Sequence, residues 1–173
     1  DPEHQDRLEK MREDLSDVLR RIRDIGFIPE GLLWAYQKDT GEPYMRYPEA
    51  ESLEDIIQAA ENATREDVSV EALSRMMNSE STSVRFWATM GAVIHAEQRS
   101  SLVNELVKLL EDESGEVAVT AAEALYLSGR KSEAIEVWEK ALSSTNPFGA
   151  LRVTNALEAT GATSKAIQAR LRV

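Results

Sequence analysis

The fold of this chain is indicated by three similar stretches of sequence: MNSESTSVRFWATMGAVIHA at 77–96, LEDESGEVAVTAAEALYLSG at 110–129 and LSSTNPFGALRVTNALEATG at 142–161. Their first residues are separated by 33 and 32 positions. Self-similarity at a period of this length is typical of proteins built from repeated supersecondary units. The sequence therefore predicts one structural unit that occurs three times.

Small and apolar residues recur at matched positions of the three stretches. They are Val84, Val117 and Gly149; Ala88, Ala121 and Val153; Gly91, Ala124 and Ala156; Ala92, Leu125 and Leu157; and Ala96, Gly129 and Gly161. Short side chains let two helices approach closely, and a terminal glycine lets the chain leave a helix. Each stretch is expected to contain the second helix of a helical hairpin, and such hairpins bury their apolar faces by stacking.

The rest of the chain also has a helical period. Helices are expected over 66–77, 83–96, 101–110, 116–128, 132–142 and 148–160, with a further turn or two from 164. Ser52 and Asp55 form a weak capping box before another helix. No segment alternates apolar and polar residues over a useful length. We predict an all-α fold: a short α-solenoid of helical hairpins over 51–173, preceded over 1–50 by a long helix and an irregular loop.

The first helix is predicted to be long and amphipathic. Its apolar side chains recur at spacings of three and four, which places them on one helix face: Leu8, Met11, Leu15, Val18, Ile22 and Ile25. Gly26 is the expected C-terminal stop. The spacing also suits a coiled coil, but it spans fewer than three heptads. We therefore expect docking on a larger body, either as a cap on the first hairpin, which we favour, or on an upstream domain.

The segment 27–50 is irregular in sequence. A short helix is expected over 32–36, and 37–50 is predicted to be a loop because it has two prolines and no period. The segment holds a candidate interaction surface: Phe27, Ile28, Trp34, Tyr36, Tyr44 and Tyr47. Aromatic side chains stack on sugars or anchor a partner protein. We favour the simpler interpretation that these residues pack the segment against the repeats or a parent domain.

Composition argues against several classes of function. The 173 residues carry a net charge of −11, so nucleic acid is not an expected partner. The absence of cysteine removes disulfides and thiolate chemistry, and no apolar run is long enough to span a membrane. His4 and His95 lie far apart in sequence, and no phosphate-binding, zinc or EF-hand motif occurs. We expect no catalytic residue, no cofactor and no metal site, and a His95 that is hydrogen-bonded and partly buried.

Two repeats resemble a known family. SVRFWATMGAVIHA (83–96) and VAVTAAEALYLSG (117–129) are similar to the short HEAT-type repeat, which also occurs in phycobilisome-lyase proteins, and the resemblance covers about 66–173. The arginine that usually follows the first apolar residue is kept as Arg85, whereas Ala118 and Ala150 replace it in the other repeats. The resemblance implies an α-solenoid and carries little information about function. Nothing here supports a lyase acting on a bilin.

The first third of the chain, followed by the HEAT-like repeats, resembles the C-terminal extension of a group of bacterial sulfatases of the alkaline-phosphatase-like superfamily, and the resemblance spans nearly the whole chain. DPEHQDRLEKMREDL (1–15), GFIPE (26–30) and YMRYPEAESLEDIIQAAENAT (44–64) carry this resemblance, in that order. It implies a non-catalytic accessory domain with a structural, docking or substrate-access role. The implied partner is its own upstream catalytic domain, and the implied location is periplasmic or extracellular if that parent is exported.

No catalytic residue of the sulfatases is transferred to this chain. Their nucleophile is a Cys or Ser that opens a C/S-x-P-x-R motif, and this chain has no cysteine and no serine in such a setting. The alternative from a different functional class is a free-standing HEAT-repeat adaptor that binds another protein.

Overall fold

The computed structural model describes residues 2–42, 52–144, 146–164 and 167–168, and this part of the chain is helical and contains no β-strand. The helices are α1 (Gln5–Ile22), α2 (Glu30–Thr40), α3 (Leu53–Thr64), α4 (Val70–Met77), α5 (Thr82–Ile94), α6 (Ala96–Arg99), α7 (Val103–Leu109), α8 (Gly115–Leu127), α9 (Lys131–Ala141) and α10 (Pro147–Thr160). Within the described residues, short 3₁₀ turns occur at Pro2–His4, Ile25–Phe27 and Ser100–Leu102. The all-α prediction is confirmed.

Five of the helices begin after a side chain that caps them. The side-chain oxygens of Ser52, Ser69, Ser81, Ser114 and Asn146 accept hydrogen bonds from backbone N–H groups two or three residues further on. Each bond satisfies a donor that the helix itself leaves without a partner. The cap also explains why the fourth helix begins after residue 69 and not at 66, as the sequence had suggested.

The three repeated stretches adopt equivalent structures. The helices α5, α8 and α10 begin at 82, 115 and 147, at the same offset within each stretch. At four of the five matched positions the residue is buried in all three stretches, and Ala88, Ala121 and Val153 have no exposed surface. Gly161 ends α10 in the left-handed conformation with φ 65°. The register of these helices was thus correctly predicted from the repeat.

Helices α3, α5, α8 and α10 form a row in which each helix contacts the next. Helices α4, α7 and α9 pack on this row, α4 against α5 and the other two against α8. One apolar core lies among α4, α5, α7 and α8, and a second lies among α8, α9 and α10 around Trp138. Because α8 contributes to both cores, every residue over 116–125 is buried.

The N-terminal segment differs from the prediction at two helix ends. Helix α1 stops at residue 22 because Arg23 adopts the left-handed conformation with φ 55°, and Gly26 lies instead in the 3₁₀ turn that follows. Helix α2 continues to residue 40, so the predicted loop begins later than expected. Gly41, with φ 72°, ends this helix.

The mode of docking of α1 also differs from the prediction. Arg20 donates to Glu54 at 2.8 and 2.9 Å and to Glu61 at 3.3 Å, so α1 is held to α3 along a polar edge. The apolar stripe remains exposed, and Met11 and Ile22 each show 60 % of their surface. The expected cap on the first hairpin is therefore wrong. The physical reason is that the apolar face of α3 packs against α5. The face of α3 that remains for α1 carries charged side chains.

Candidate functional site

The predicted interaction surface lies partly at a contact between the N-terminal segment and the row of helices. Ile28 is buried, whereas Phe27, Trp34 and Tyr36 are half-buried. The Phe27 carbonyl accepts a hydrogen bond of 2.8 Å from the indole N–H of Trp87. The Phe27 and Trp87 rings lie 6.0 Å apart, centroid to centroid.

Further along the segment, Trp34 packs on α10. Its ring centroid lies 6.2 Å from that of Phe148, and the Nζ of Lys38 lies 4.8 Å above the Trp34 ring. Tyr44 and Tyr47 lie outside the described residues. The described aromatic side chains therefore hold residues 25–40 against helices α5 and α10, in agreement with the packing interpretation.

The closest approach of this segment to the helices occurs at Gly31. Its backbone N–H donates to Oε1 of Glu116 at 3.3 Å, and a Cβ added at Gly31 would lie 2.1 Å from Oε2 of the same carboxylate. Only glycine fits without displacing Glu116. Burial raises the pKa of Glu116, and the charge of Glu30 raises it further, while the Gly31 N–H and Arg152 oppose the shift.

A cleft of about 280 Å³ opens beside this contact. It lies between residues 26–30, helix α5, the first turn of α8 and helix α10. Its lining comprises Gly26, Phe27, Ile28, Pro29, Glu30, Phe86, Trp87, Glu116, Phe148, Leu151, Arg152 and Asn155. Four aromatic side chains and a buried carboxylate thus meet in one concavity.

A polar network lies behind the cleft, on one face of α8. Arg152 forms an ion pair with Glu123 and donates from Nε to the Thr120 hydroxyl at 3.1 Å. The same hydroxyl donates to the backbone carbonyl of Glu116 at 2.8 Å. Glu116, Thr120 and Glu123 are all buried. Arg152 therefore has its charge balanced within the protein.

The network was not predicted from the sequence. A signal was present, because positions 116, 120 and 123 share one face of a helix that is otherwise apolar and small. The partner positions on α2 and α10 lie far away in sequence, so the signal gave no indication of a cleft.

Two further basic side chains, His95 and Arg99, bond to backbone carbonyl groups. Nε2 of His95 lies 2.9 Å from the carbonyl oxygen of Ala63, so the expected hydrogen-bonded, half-buried histidine is confirmed. Arg99 donates to the carbonyls of Ala92 and Val93, both at 2.7 Å, at the C-terminal end of α5. Burial lowers the pKa of Arg99. Among the described residues, no three His, Asp or Glu side chains are grouped so that they could hold a metal ion.

Comparison with known proteins found no matching protein family, no similar curated protein and no similar solved structure. Over the described ranges, no helix is long and apolar enough to cross a membrane.

Proposed function

We propose that this chain is a non-catalytic accessory domain of a sulfatase-like hydrolase, with a structural, docking or substrate-access role. The proposal rests on the resemblance to the sulfatase extension, which spans nearly the whole chain, and on one observation, the exposed apolar stripe of α1. We further propose that the repeats form a short HEAT-like solenoid. This is supported by the equal starting offsets of α5, α8 and α10 and by the row of contacts from α3 to α10.

The stripe on α1 is a row of exposed apolar side chains on one helix face. It consists of five large side chains that are between 37 % and 60 % exposed: Leu8, Met11, Leu15, Val18 and Ile22. A contiguous apolar surface of this kind marks an interaction site. Full burial of one such side chain contributes roughly 1.5–3 kcal/mol, so a partner that covers the stripe would be held firmly.

The proposed occupant of the stripe is the catalytic domain of the parent hydrolase. In the sulfatases that the chain resembles, this domain precedes the helix that corresponds to α1. The chain itself is expected to hydrolyse no aryl sulfate, with or without calcium, because it has no C/S-x-P-x-R motif. Turnover by the purified chain that is lost on mutation within it would contradict this assignment.

A photo-crosslinking experiment in the native host tests the proposed docking. A photoreactive phenylalanine replaces Met11 in the stripe, and a control chain carries it at Glu13, on the opposite face of α1. We expect position 11 to cross-link to peptides of a sulfatase-type catalytic domain and position 13 to give little product. Equal labelling at both positions, or cross-links from position 11 to unrelated proteins only, would refute the docking.

The alternative function is that of a free-standing HEAT-repeat adaptor. The cleft between the N-terminal segment and α10 favours it, since an aromatic-lined cleft offers a surface for recognition that needs no catalytic domain. In the experiment above, an adaptor would cross-link from position 11 to a separate polypeptide without sulfatase sequence.

A further inference from the structure

We propose that the cleft beside Gly31 binds an organic cation, a guanidinium or primary ammonium group carried on an aliphatic chain. The site is lined by the Glu116 carboxylate and by the aromatic side chains of Phe27, Trp87 and Phe148. It does not involve the α1 stripe, so it stands independently of the accessory-domain function proposed above.

The charge of the cleft selects a cation. Its lining carries two carboxylates, Glu30 and Glu116, and one guanidinium, Arg152. Arg152 is paired with buried Glu123 and hydrogen-bonded to Thr120, and its Nη2 also lies 3.6 Å from the sulfur of Met90. An anionic ligand would therefore meet a guanidinium whose charge is already balanced, and two carboxylates that repel it.

Glu116 has capacity for such a ligand. A carboxylate offers about four acceptor positions. Within the described residues, the Glu116 side chain accepts one hydrogen bond, the long one from Gly31. With only 8 % of its surface exposed, Glu116 receives little compensation from water. A guanidinium or ammonium donor in the cleft would supply further hydrogen bonds and the opposite charge.

The aromatic lining of the cleft suits the aliphatic chain that carries the cation. Aromatic faces attract cations and also cover aliphatic methylene groups. A volume of about 280 Å³ is near the lower limit of ordinary ligand sites, so the cleft suits one extended side chain or a small amine. A side chain of a polypeptide and a free small amine present the same cationic group, and the agmatine and pentapeptide probes described below distinguish them.

Titrations followed by NMR test the assignment on the unaltered chain. The probes are N-acetyl-arginine methylamide, its lysine analogue and the uncharged citrulline analogue, which matches arginine in shape. We expect the two cations to shift the indole N–H signal of Trp87, which lines the cleft, and to leave that of Trp138 unchanged, because Trp138 is buried against Val119. Binding of citrulline as tight as that of arginine would overturn the proposal.

Two substitutions test whether the charge of Glu116 contributes to binding of the cation. Glu116→Gln keeps the shape and the acceptor for Gly31 but removes the charge, so we expect affinity for the arginine probe to fall about tenfold or more. Glu133→Gln is the control, because Glu133 pairs with Arg130 on α9 and is not part of the cleft lining. An equal effect of the two substitutions would refute the site. If Glu116→Gln does not fold, the comparison of arginine with citrulline still decides.

The pH dependence gives a separate readout. The pKa of Glu116 is raised, and a bound cation favours its ionised form. Affinity should therefore fall as the pH is lowered through that raised pKa, with proton uptake on release of the probe. The Glu116→Gln variant should show no such dependence. A pH-independent affinity in the unaltered chain would exclude Glu116 as the partner of the cation.

The affinities of two further probes show whether the natural ligand is a polypeptide or a small amine. Agmatine represents a free small molecule, and a pentapeptide with a central arginine between glycines represents a side chain of a polypeptide. Tighter binding of the pentapeptide identifies a polypeptide ligand, and tighter binding of agmatine identifies a small amine. Absence of binding by both would refute the proposal.

Discussion

At the scale of single residues, the smallest side chains determine how closely the helices pack. Ala121 and Ala124 have no exposed surface and lie in the core shared by α5, α7 and α8. Gly91 has a similar role, since a Cβ there would lie 2.5 Å from a side-chain carbon of Leu73. Interiors are packed too densely to accept added atoms at such points without a shift.

Ala121→Asp is expected to destabilise the protein by roughly 3 kcal/mol or more, because it buries a carboxylate with no partner. Urea denaturation measures the loss. The same change at Ala159, which is exposed on α10, serves as the control and should have a small effect. Similar midpoints for the two variants would show that the contact face of α8 has been wrongly assigned.

Gly31→Ala is expected to cost about 1–3 kcal/mol, because the new methyl group displaces the Glu116 carboxylate and breaks its hydrogen bond. In a Glu116→Ala background the cost should largely disappear, and a double-mutant cycle on unfolding free energies measures this coupling.

Gly149→Ala is the matched control for Gly31. A Cβ at Gly149 meets no atom within 4 Å, and the residue lies in helix α10. Alanine there should stabilise the protein by up to about 1 kcal/mol. A cost at Gly31 that persists without Glu116 would mean that the strain lies in the backbone of α2.

At the scale of elements, one arginine joins the loops that precede two repeated helices. Arg85 donates to both carboxylate oxygens of Asp112, at 2.7 and 3.1 Å, and to the carbonyls of Ser79 and Glu80 at 3.0 and 2.9 Å. The side chains of Arg85 and Asp112 are 10 % and 5 % exposed. Arg85 thus fixes the spacing of α5 and α8 at their N-terminal ends.

Arg85→Ala is expected to destabilise the protein by about 3–5 kcal/mol, since it leaves Asp112 buried without its cation. Arg85→Lys should recover part of this loss, because lysine keeps the charge but lacks the planar fork. Chemical denaturation compares them with Arg130→Ala, which breaks an exposed pair worth at most about 0.5 kcal/mol. A loss for Arg85→Ala no larger than that control would contradict the bridging role.

At the scale of the whole molecule, the N-terminal segment is attached in two different ways. Residues 25–40 are anchored by buried Ile28 and by the Gly31 contact. Helix α1 has no buried residue and is held mainly by ion pairs of Arg20. Partly exposed pairs of this kind contribute roughly 1 kcal/mol or less.

Deletion of residues 1–22 is therefore expected to lower the melting temperature by no more than about 2–4 °C. Deletion of residues 1–42 removes the anchored part as well and should lower it much further. Thermal denaturation followed by circular dichroism makes the comparison. A large loss from the shorter deletion would place the α1 stripe in the core of this domain.

The sequence by itself determined the all-α fold, the register of the repeats and most helix starts. These depend on local signals: helical apolar periods, and small residues that recur at one offset. The same signals identified Ala121 and Val153 as contact residues before any contact was known. Period and capping act within a few residues of the chain, so a single sequence is enough to reveal them.

Only the tertiary structure decided what α1 leaves exposed and where the cleft lies. The period of α1 predicted an apolar face, but whether that face is covered depends on which face of α3 is free, and α5 already occupies the apolar one. The cleft joins Gly31, Glu116 and Phe148, which lie far apart in sequence. The raised pKa of Glu116 likewise results from burial by elements remote in the chain, and burial is a property of packing that local patterns do not contain.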